Sequence, residues 1–450
     1  MAKLPVTVTN FPLKIEKLVP GGQGLCEVAL TDREHALLPP GKKGFLWNAL
    51  PGETVTSFTI TKSKSRYFEA IAETIEKPSP HRIAPQDSCY LATSPWQIMD
   101  YDYELEQKRE LLLETFRQHG LEIEPGHVMT DSNDLHYRNK MEYSLYWDIE
   151  ESKIKLAQHQ RGSHRKIPLE TSSIERPEIW QKANEIVTDL NARHEEARKY
   201  QSLLLRCDQN GNVSGGLYEN RKPHPVFDNL TDTILGYEYS YSPNGFFQIN
   251  LPVYEMALKE IKKHITTDKV LDLYSGVGTI GLSVARDKEL TLVECNKFAY
   301  EELVKNCRYI PIAGSSRPTK EENSSNVPIA GSSRPTGSED RELPRNDGRS
   351  DRCPRWNITT VLANSEDALD YIAPDQTVIL DPPRAGCDIK LLEKLNETRP
   401  RTIIYLSCNP ATQARDLAIL IEKYKTTSIT PYNFFPRTPH LENLVVLQAK

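Results

Sequence analysis

Cysteine and carboxylate side chains that could act on a substrate recur in this chain where apolar runs end and a strand would release them. The run Ile403-Ile-Tyr-Leu-Ser-Cys408-Asn-Pro-Ala-Thr412 places a thiol after a buried-strand pattern and just before Asn409-Pro410, which stops the strand. Cys408 should therefore sit at the carboxyl edge of a sheet, where open α/β sheets bind ligands. A free thiol titrates at about 8.5, so ionising Cys408 calls for an electropositive or helix-amino-terminal setting. Asp381-Pro382-Pro383-Arg384 ends another run. Its two prolines remove backbone donors and fix the turn, which presents the Asp381 carboxylate rigidly to a planar base with hydrogens to donate. The same residues also fit a proline-stiffened surface turn.

Asp272-Leu-Tyr274-Ser-Gly276-Val-Gly278-Thr279-Ile-Gly281 satisfies Gly-x-Gly-x-x-Gly, a pattern that alone fits any nucleotide. Asp272 inside the loop would repel a pyrophosphate but can accept from the ammonium of S-adenosylmethionine, directly or through water. Glu294, ending the next strand, can take both ribose hydroxyls. A methyl donor therefore fits better than a dinucleotide. Carbon 5 of uracil is too weak a nucleophile to take a methyl group until a thiolate adds at carbon 6. Its proton must then leave to a base. Glu442, with His440 nearby in Phe434-Phe-Pro-Arg-Thr-Pro-His440-Leu-Glu442, offers one, since partly apolar surroundings raise a carboxylate pKa towards working pH.

These residues need elements to position them. From Phe246 onwards strands at 269–274, 290–294, 359–362, 376–381 and 402–406 alternate with helical runs, which predicts a doubly wound parallel sheet, with 442–448 as an antiparallel last strand. Residues 6–75 read as a small antiparallel barrel of short strands broken by Gly and Pro. After the hinge Pro78–Pro85, 101–119 reads as a helix with Leu105, Leu111, Leu112 and Phe116 on one side. A mixed α/β region follows to Tyr241. Its basic segments, Tyr137-Arg138-Asn139-Lys140 and His159-Gln-Arg161-Gly-Ser-His164-Arg165-Lys166, suit phosphate contacts or a solvated surface. Ile310-Pro-Ile-Ala-Gly-Ser-Ser-Arg-Pro-Thr319 recurs from Val327 to Thr336, and the polar stretch of about 310–355 reads as a disordered insertion with no catalytic role.

A chain of 450 residues predicts two or three domains, and its net charge of -6 excludes a wholesale basic coat while leaving room for local patches. The eight cysteines contain no Cys-x-x-Cys, which suits reduced thiols in a cytoplasmic enzyme and no metal site. No apolar run is long enough to cross a bilayer.

Taken together, Asp272-Leu-Tyr-Ser-Gly-Val-Gly, Asp381-Pro-Pro-Arg, Ser407-Cys408-Asn409-Pro410 and Pro439-His440-Leu-Glu442 resemble the RNA uracil-5-methyltransferase family. Phe246-Phe-Gln248-Ile-Asn250 and Arg138-Asn-Lys-Met-Glu142 match two further signatures, and Gly21-Gly-Gln-Gly24 with Leu50-Pro-Gly-Glu53 resembles a TRAM domain. The resemblance implies an OB-like TRAM barrel at 1–77, a central RNA-binding α/β domain at 78–241 whose helix 101–119 packs on the catalytic domain, and a Rossmann-like class I methyltransferase domain at 242–450. It implies Cys408 as nucleophile, Glu442 as proton acceptor, and Gln248, Tyr274, Thr279, Glu294, Asn364 and Asp381 at the S-adenosylmethionine site. Thr279 occupies a position often filled by Asn, and Asn364 one filled by Asn or Asp. Many family members hold an iron-sulfur cluster on four cysteines; here only Cys89 remains, with Ser172 and Ser173 near the fourth position, so no cluster is expected. The implied partner is RNA, ribosomal in preference to transfer RNA, bound by a monomer. Methylation of an exocyclic amine and a non-catalytic RNA-binding role stay open as alternatives.

Overall fold

The computed structural model describes residues 5–29, 37–161, 165–219, 221–224, 227–308, 350–353 and 357–450. The carboxyl-terminal half forms one eight-stranded sheet. Its strands are β1 (Lys269–Leu273), β2 (Glu289–Glu294), β3 (Ser350–Cys353), β4 (Ile358–Leu362), β5 (Gln376–Leu380), β6 (Thr402–Ser407), β7 (Tyr424–Tyr432) and β8 (Glu442–Ala449). They lie in the order β3-β4-β2-β1-β5-β6-β8-β7. The pairs from β4 to β6 are parallel, whereas β3 pairs antiparallel with β4, and β8 with both β6 and β7. Every residue of β5 and β6 is buried, the reason both read as unbroken apolar runs rather than alternating ones. After β1 the chain builds outwards through β2 and β4, then returns to place β5 on β1's other side. That reversal opens a crevice at the carboxyl ends of β1 and β5.

Each face of the sheet is closed by helices. One carries Leu251–Lys263, Thr279–Val284 and Lys297–Arg308, whose Tyr254, Leu258, Ile280, Leu282 and Leu303 pack with Val270, Leu290 and Ile404. The hairpin Leu230–Ile234/Tyr237–Tyr241 joins this core, and Tyr239 Oη lies 2.6 Å from Ser283 Oγ. It falls within the span 78–241 expected for the central domain, but its alternating tyrosines bury into the catalytic layer. On the other face, Leu391, Leu395, Ala414 and Leu417 pack with Leu112 and Phe116 of the helix Tyr101–Gln118. Ser350–Cys353 forms edge strand β3 inside the span 310–355 read as an insertion, and the rest of that span, with the repeated decapeptide, lies outside the described residues.

The central region is a six-stranded antiparallel sheet covered by the helix Pro177–Ala192 through Ile179, Ala183, Val187 and Leu190. The amino-terminal sheet, also of six strands, begins with Val6–Lys14 at one edge and ends with Lys17–Leu18 at the other. Only Ile15 and Glu16 separate these edges, and their amides donate to Glu53 and Leu25, so the sheet curls into a barrel around Phe58 and Phe68. One pair, Lys43–Trp47 with Tyr67–Lys77, is parallel, unlike the all-antiparallel expectation.

The barrel touches the catalytic domain directly. Trp96 Nε1 donates to the Gly22 carbonyl at 3.1 Å, and at Gly22 (φ +93°) a Cβ would fall 2.5 Å from Pro439. Near Cys89, Asp87 Oδ2 accepts from Gln97 Nε2 at 2.8 Å and from Ser173 N and Oγ at 3.1 and 2.8 Å. One thiol among amides and hydroxyls is not a thiolate ligand set. No group of three or more metal-ligating side chains occurs among the described residues, and no described helix is long and apolar enough to cross a membrane.

Candidate active site

A cavity of about 890 Å³ opens at the carboxyl edge of the sheet. Gln248, Tyr274, Glu294, Asp381, Cys408 and Glu442 all line it. A second cavity of about 750 Å³ adjoins it across Tyr274, Glu294 and Pro383, and there Asn364 is found. Thr279 lines neither. It starts the helix after the glycine loop, with Oγ1 2.8 Å from the buried Tyr254 hydroxyl.

Strand register brings the thiol and the carboxylate together. Ser407 on β6 pairs with Asn443 on β8, so Cys408 leaves one strand where Glu442 enters the other. Gln413 clamps this point: its Nε2 donates to the carbonyls of Tyr405 and Asn443, both at 3.0 Å, and its Oε1 accepts from Asn443 Nδ2 at 2.7 Å. The Asp-Pro-Pro-Arg turn is tied to the same place, since the Arg384 carbonyl accepts from Asn409 Nδ2 at 2.8 Å and Thr412 Oγ1 at 3.2 Å.

The site is electrostatically tense. Glu442 is 4% exposed, and its Oε2 is buried with no hydrogen-bond partner. Burial, then the charge of Asp381, pushes its pKa well above the usual range, with Arg384 pulling weakly back. Burial likewise raises Asp381. Cys408 is pushed up to about 11 by burial and by the charges of Glu442 and Asp381, against the attraction and hydrogen bond of Arg384. Burial and two carboxyl groups outweigh one guanidinium, so the protein's own groups do not supply the electropositive setting that ionising this thiol calls for, and Cys408 rests protonated.

The glycine loop is held from beneath. Glu294 Oε2 accepts from Gly276 N at 2.8 Å and Oε1 from Asn296 N at 2.6 Å. Tyr274 adopts φ +66°, a left-handed conformation costly for a side chain of this size and found where function demands it. Gly278 must lack a Cβ, which would meet Leu303 at 2.5 Å. Asp272 is not in either lining. It is 1% exposed beneath the loop, Oδ2 accepting from Gly281 N at 2.9 Å and Oδ1 without a partner, and burial raises its pKa to about 8.

Sequence reasoning missed the wall made by Phe298, Glu302 and Lys305 on the helix Lys297–Arg308. Its signal was position alone, three residues after Glu294. It also missed Arg206, fully buried on the central sheet, whose guanidinium donates to the carbonyls of Gly245, Phe247 and Gln248 and so fixes the segment bearing Gln248.

A doubly wound sheet with this loop, this acidic second strand end and this crevice defines a Rossmann-like methyltransferase. The profile of the tRNA (uracil-5-)-methyltransferase family matches residues 368–450. An uncharacterised RNA methyltransferase of Bacillus cereus is 26% identical over 100% of this chain and 98% of its own length. Another from Prochlorococcus marinus is 27% identical over 89% of this chain and 99% of its own. The crystal structure of Pyrococcus abyssi tRNA (uracil-54, C5)-methyltransferase, in complex with S-adenosyl-L-homocysteine, shares the fold with a TM-score of 0.66 and 21% identity, covering 97% of this chain and 99% of that one. Over residues 368–450 the chain thus matches the tRNA (uracil-5-)-methyltransferase family, and over nearly its whole length it is similar to RNA methyltransferases.

Proposed function

We propose that the protein transfers a methyl group from S-adenosylmethionine to carbon 5 of a uridine in RNA, with Cys408 as nucleophile and Glu442 as proton acceptor. The observation that carries this reading is the convergence of Cys408, Asp381 and Glu442 on one cavity whose remaining wall includes Gln248, Tyr274 and Glu294. That lining fits a cationic donor, since Glu294, Asp381 and Glu442 surround it with carboxyl groups and Glu294 can accept from ribose hydroxyls. Asn364 extends the donor subsite into the adjoining cavity. Thr279 acts behind it, through Tyr254. When bound, the donor supplies an electrophilic methyl on a positively charged sulfur.

The chain's own groups do the rest. The uridine must leave its stack to reach the crevice, where Asp381 holds a base hydrogen. The Cys408 thiol gives its proton to water, and its sulfur bonds to carbon 6, so that carbon 5 becomes electron-rich and takes the methyl group. Glu442, whose raised pKa makes it a stronger base once ionised and whose Oε2 has no competing partner, then removes the carbon-5 proton, and the electron pair left behind expels the Cys408 sulfur. Changing Cys408 to Ala is expected to abolish methyl transfer while leaving donor affinity, measured by calorimetry, within about twofold. RNA bearing 5-fluorouridine should form a stable adduct with the wild type, because fluorine cannot leave as a proton. Transfer by the Ala variant would refute the covalent route in favour of direct methylation of an amine.

The barrel at residues 5–77 supports a TRAM-type RNA-binding module, and with it ribosomal RNA, 23S first, over uridine 54 of transfer RNA. Mass spectrometry of both RNAs from cells with and without the gene decides this. Loss of a 5-methyluridine from transfer RNA alone would overturn the ribosomal choice.

A further inference from the structure

The cavity is acidic within, but its surroundings are not. Glu294, Glu302, Asp381 and Glu442 line it, and these would repel a phosphodiester. At its rim the three parts of the fold meet around Pro439 and His440. The barrel reaches the junction through Gly22 against Pro439, and the central region through the Tyr137 hydroxyl, which donates to the Pro436 carbonyl at 3.0 Å. The central and carboxyl-terminal parts supply a cluster of arginines there, and the barrel an aromatic face for one of them. Arg384 Nη2 lies 3.4 Å from His440 Nδ1. Arg161, from the central sheet, stacks 4.1 Å from the centroid of the barrel's Trp47 ring and donates Nε to the Leu91 carbonyl at 2.7 Å. Arg138 follows Tyr137 and spends its Nε on the Lys140 carbonyl at 2.8 Å. Burial, then the charges of Arg384, Lys108, Arg161 and Arg138, lowers the His440 pKa, so the imidazole stays neutral.

No carboxylate pairs with Arg138, Arg161 or Arg384 among the described residues, although elsewhere in the chain arginines such as Arg82, Arg176 and Arg437 are paired. Guanidinium groups left with free donors, fixed by carbonyls and an aromatic face and gathered from separate domains, match an anion with several acceptor oxygens.

We propose that Arg138, Arg161 and Arg384 form a seat for the RNA phosphates on either side of the flipped uridine. The inference rests on the RNA reading above and adds where the backbone lies. Phosphates at the rim and the base in the acidic crevice satisfy opposite charges, so the seat also bears on which base can enter.

The test uses the full chain and a uridine-containing RNA, with Arg138→Ala and Arg161→Ala, neither of which lines the donor cavity. RNA affinity is expected to fall about tenfold for each variant. The slope of log affinity against log salt should flatten by about 0.7 per lost phosphate contact on a single strand. Donor affinity and the rate at saturating RNA should be unchanged, and Arg161→Lys, which keeps the charge, should recover most of the binding. Unchanged RNA affinity and salt slope in the double variant would overturn the seat. So would equal losses of donor and RNA binding, or an Arg161→Lys variant as weak as Arg161→Ala, which would mark a merely structural role. If the wild type transfers no methyl group to uridine but the variants still lose RNA affinity, the seat stands and the reaction assignment falls.

Discussion

Two clusters of buried charge flank the loop from Asn433 to Glu442, and they obey opposite rules. On the side of the helix Tyr101–Gln118, Glu104 and Lys108 are almost wholly buried and lie 2.8 Å apart. Lys108 also donates to Asn433 Oδ1 and to the Phe435 carbonyl, while Glu104 accepts from Arg437 N at 3.1 Å. Arg437 goes on to Asp134 and to the Met99 carbonyl. Every charge there has an opposite one. On the crevice side, Asp381 and Glu442 face each other with one weak counter-charge, Arg384, and a carboxyl oxygen left bare. Buried pairs that are satisfied hold architecture, whereas buried like charges store energy that a ligand can release. One loop serves both: it is anchored at Asn433 and Arg437 so that Glu442 can be held where it would not choose to be.

Breaking the paired cluster should have the larger effect on the fold. Lys108→Ala leaves Glu104 buried without its cation, so stability to urea is expected to drop by about 3–5 kcal/mol, with little change if Glu104 and Lys108 are replaced together by apolar residues. A small loss for the single variant would show that water reaches this network. The unpaired cluster predicts the reverse sign. Because the folded-state pKa of Glu442 is raised, its protonation favours the fold below the ordinary value of 4.5 and that benefit is lost as pH climbs. Glu442→Gln should therefore match the wild type in acid and become more stable by about 1–2 kcal/mol near neutrality. It should also accumulate a covalent adduct with natural RNA, since the carbon-5 proton cannot leave. Equal stability at every pH would remove the claim of repulsion. The smallest effect is on the free thiol. With a pKa of about 11, Cys408 should be alkylated by iodoacetamide slowly at pH 7 and about tenfold faster for each pH unit up to 10. Glu442→Gln should shift that profile to lower pH, and a profile levelling off below pH 9 would contradict the two-carboxylate account.

The same contrast explains what could be read before any coordinates. Cys408, Asp381 and Glu294 each end an apolar strand, so periodicity and one topological rule were enough to bring them to one edge. Glu442 needed the register of β8 on β6, which its antiparallel placement supplied. The paired cluster was invisible: Glu104 and Lys108, four residues apart on a helix, look like any solvated pair, and their partners lie more than 300 residues away. Local spacing carries no trace of such a contact. The packing of the hairpin before Tyr241 was hidden for a related reason, because alternating tyrosines in a hairpin do not say which core they enter. Likewise a cysteine's place in a motif does not reveal the charges opposite it, so the sign of the shift at Cys408 emerged only with the fold.

Gly22, pressed against Pro439 too closely to admit even a methyl group, turns the barrel and the catalytic wall into a single caliper. A tethered module would sample many separations and gain affinity simply by staying near. With the jaws fixed, the proposed function carries a ruler: an RNA would be accepted only if the stretch that meets the barrel and the uridine that reaches Cys408 stand the right distance apart. Bases of identical chemistry elsewhere in the same RNA would be refused by length alone.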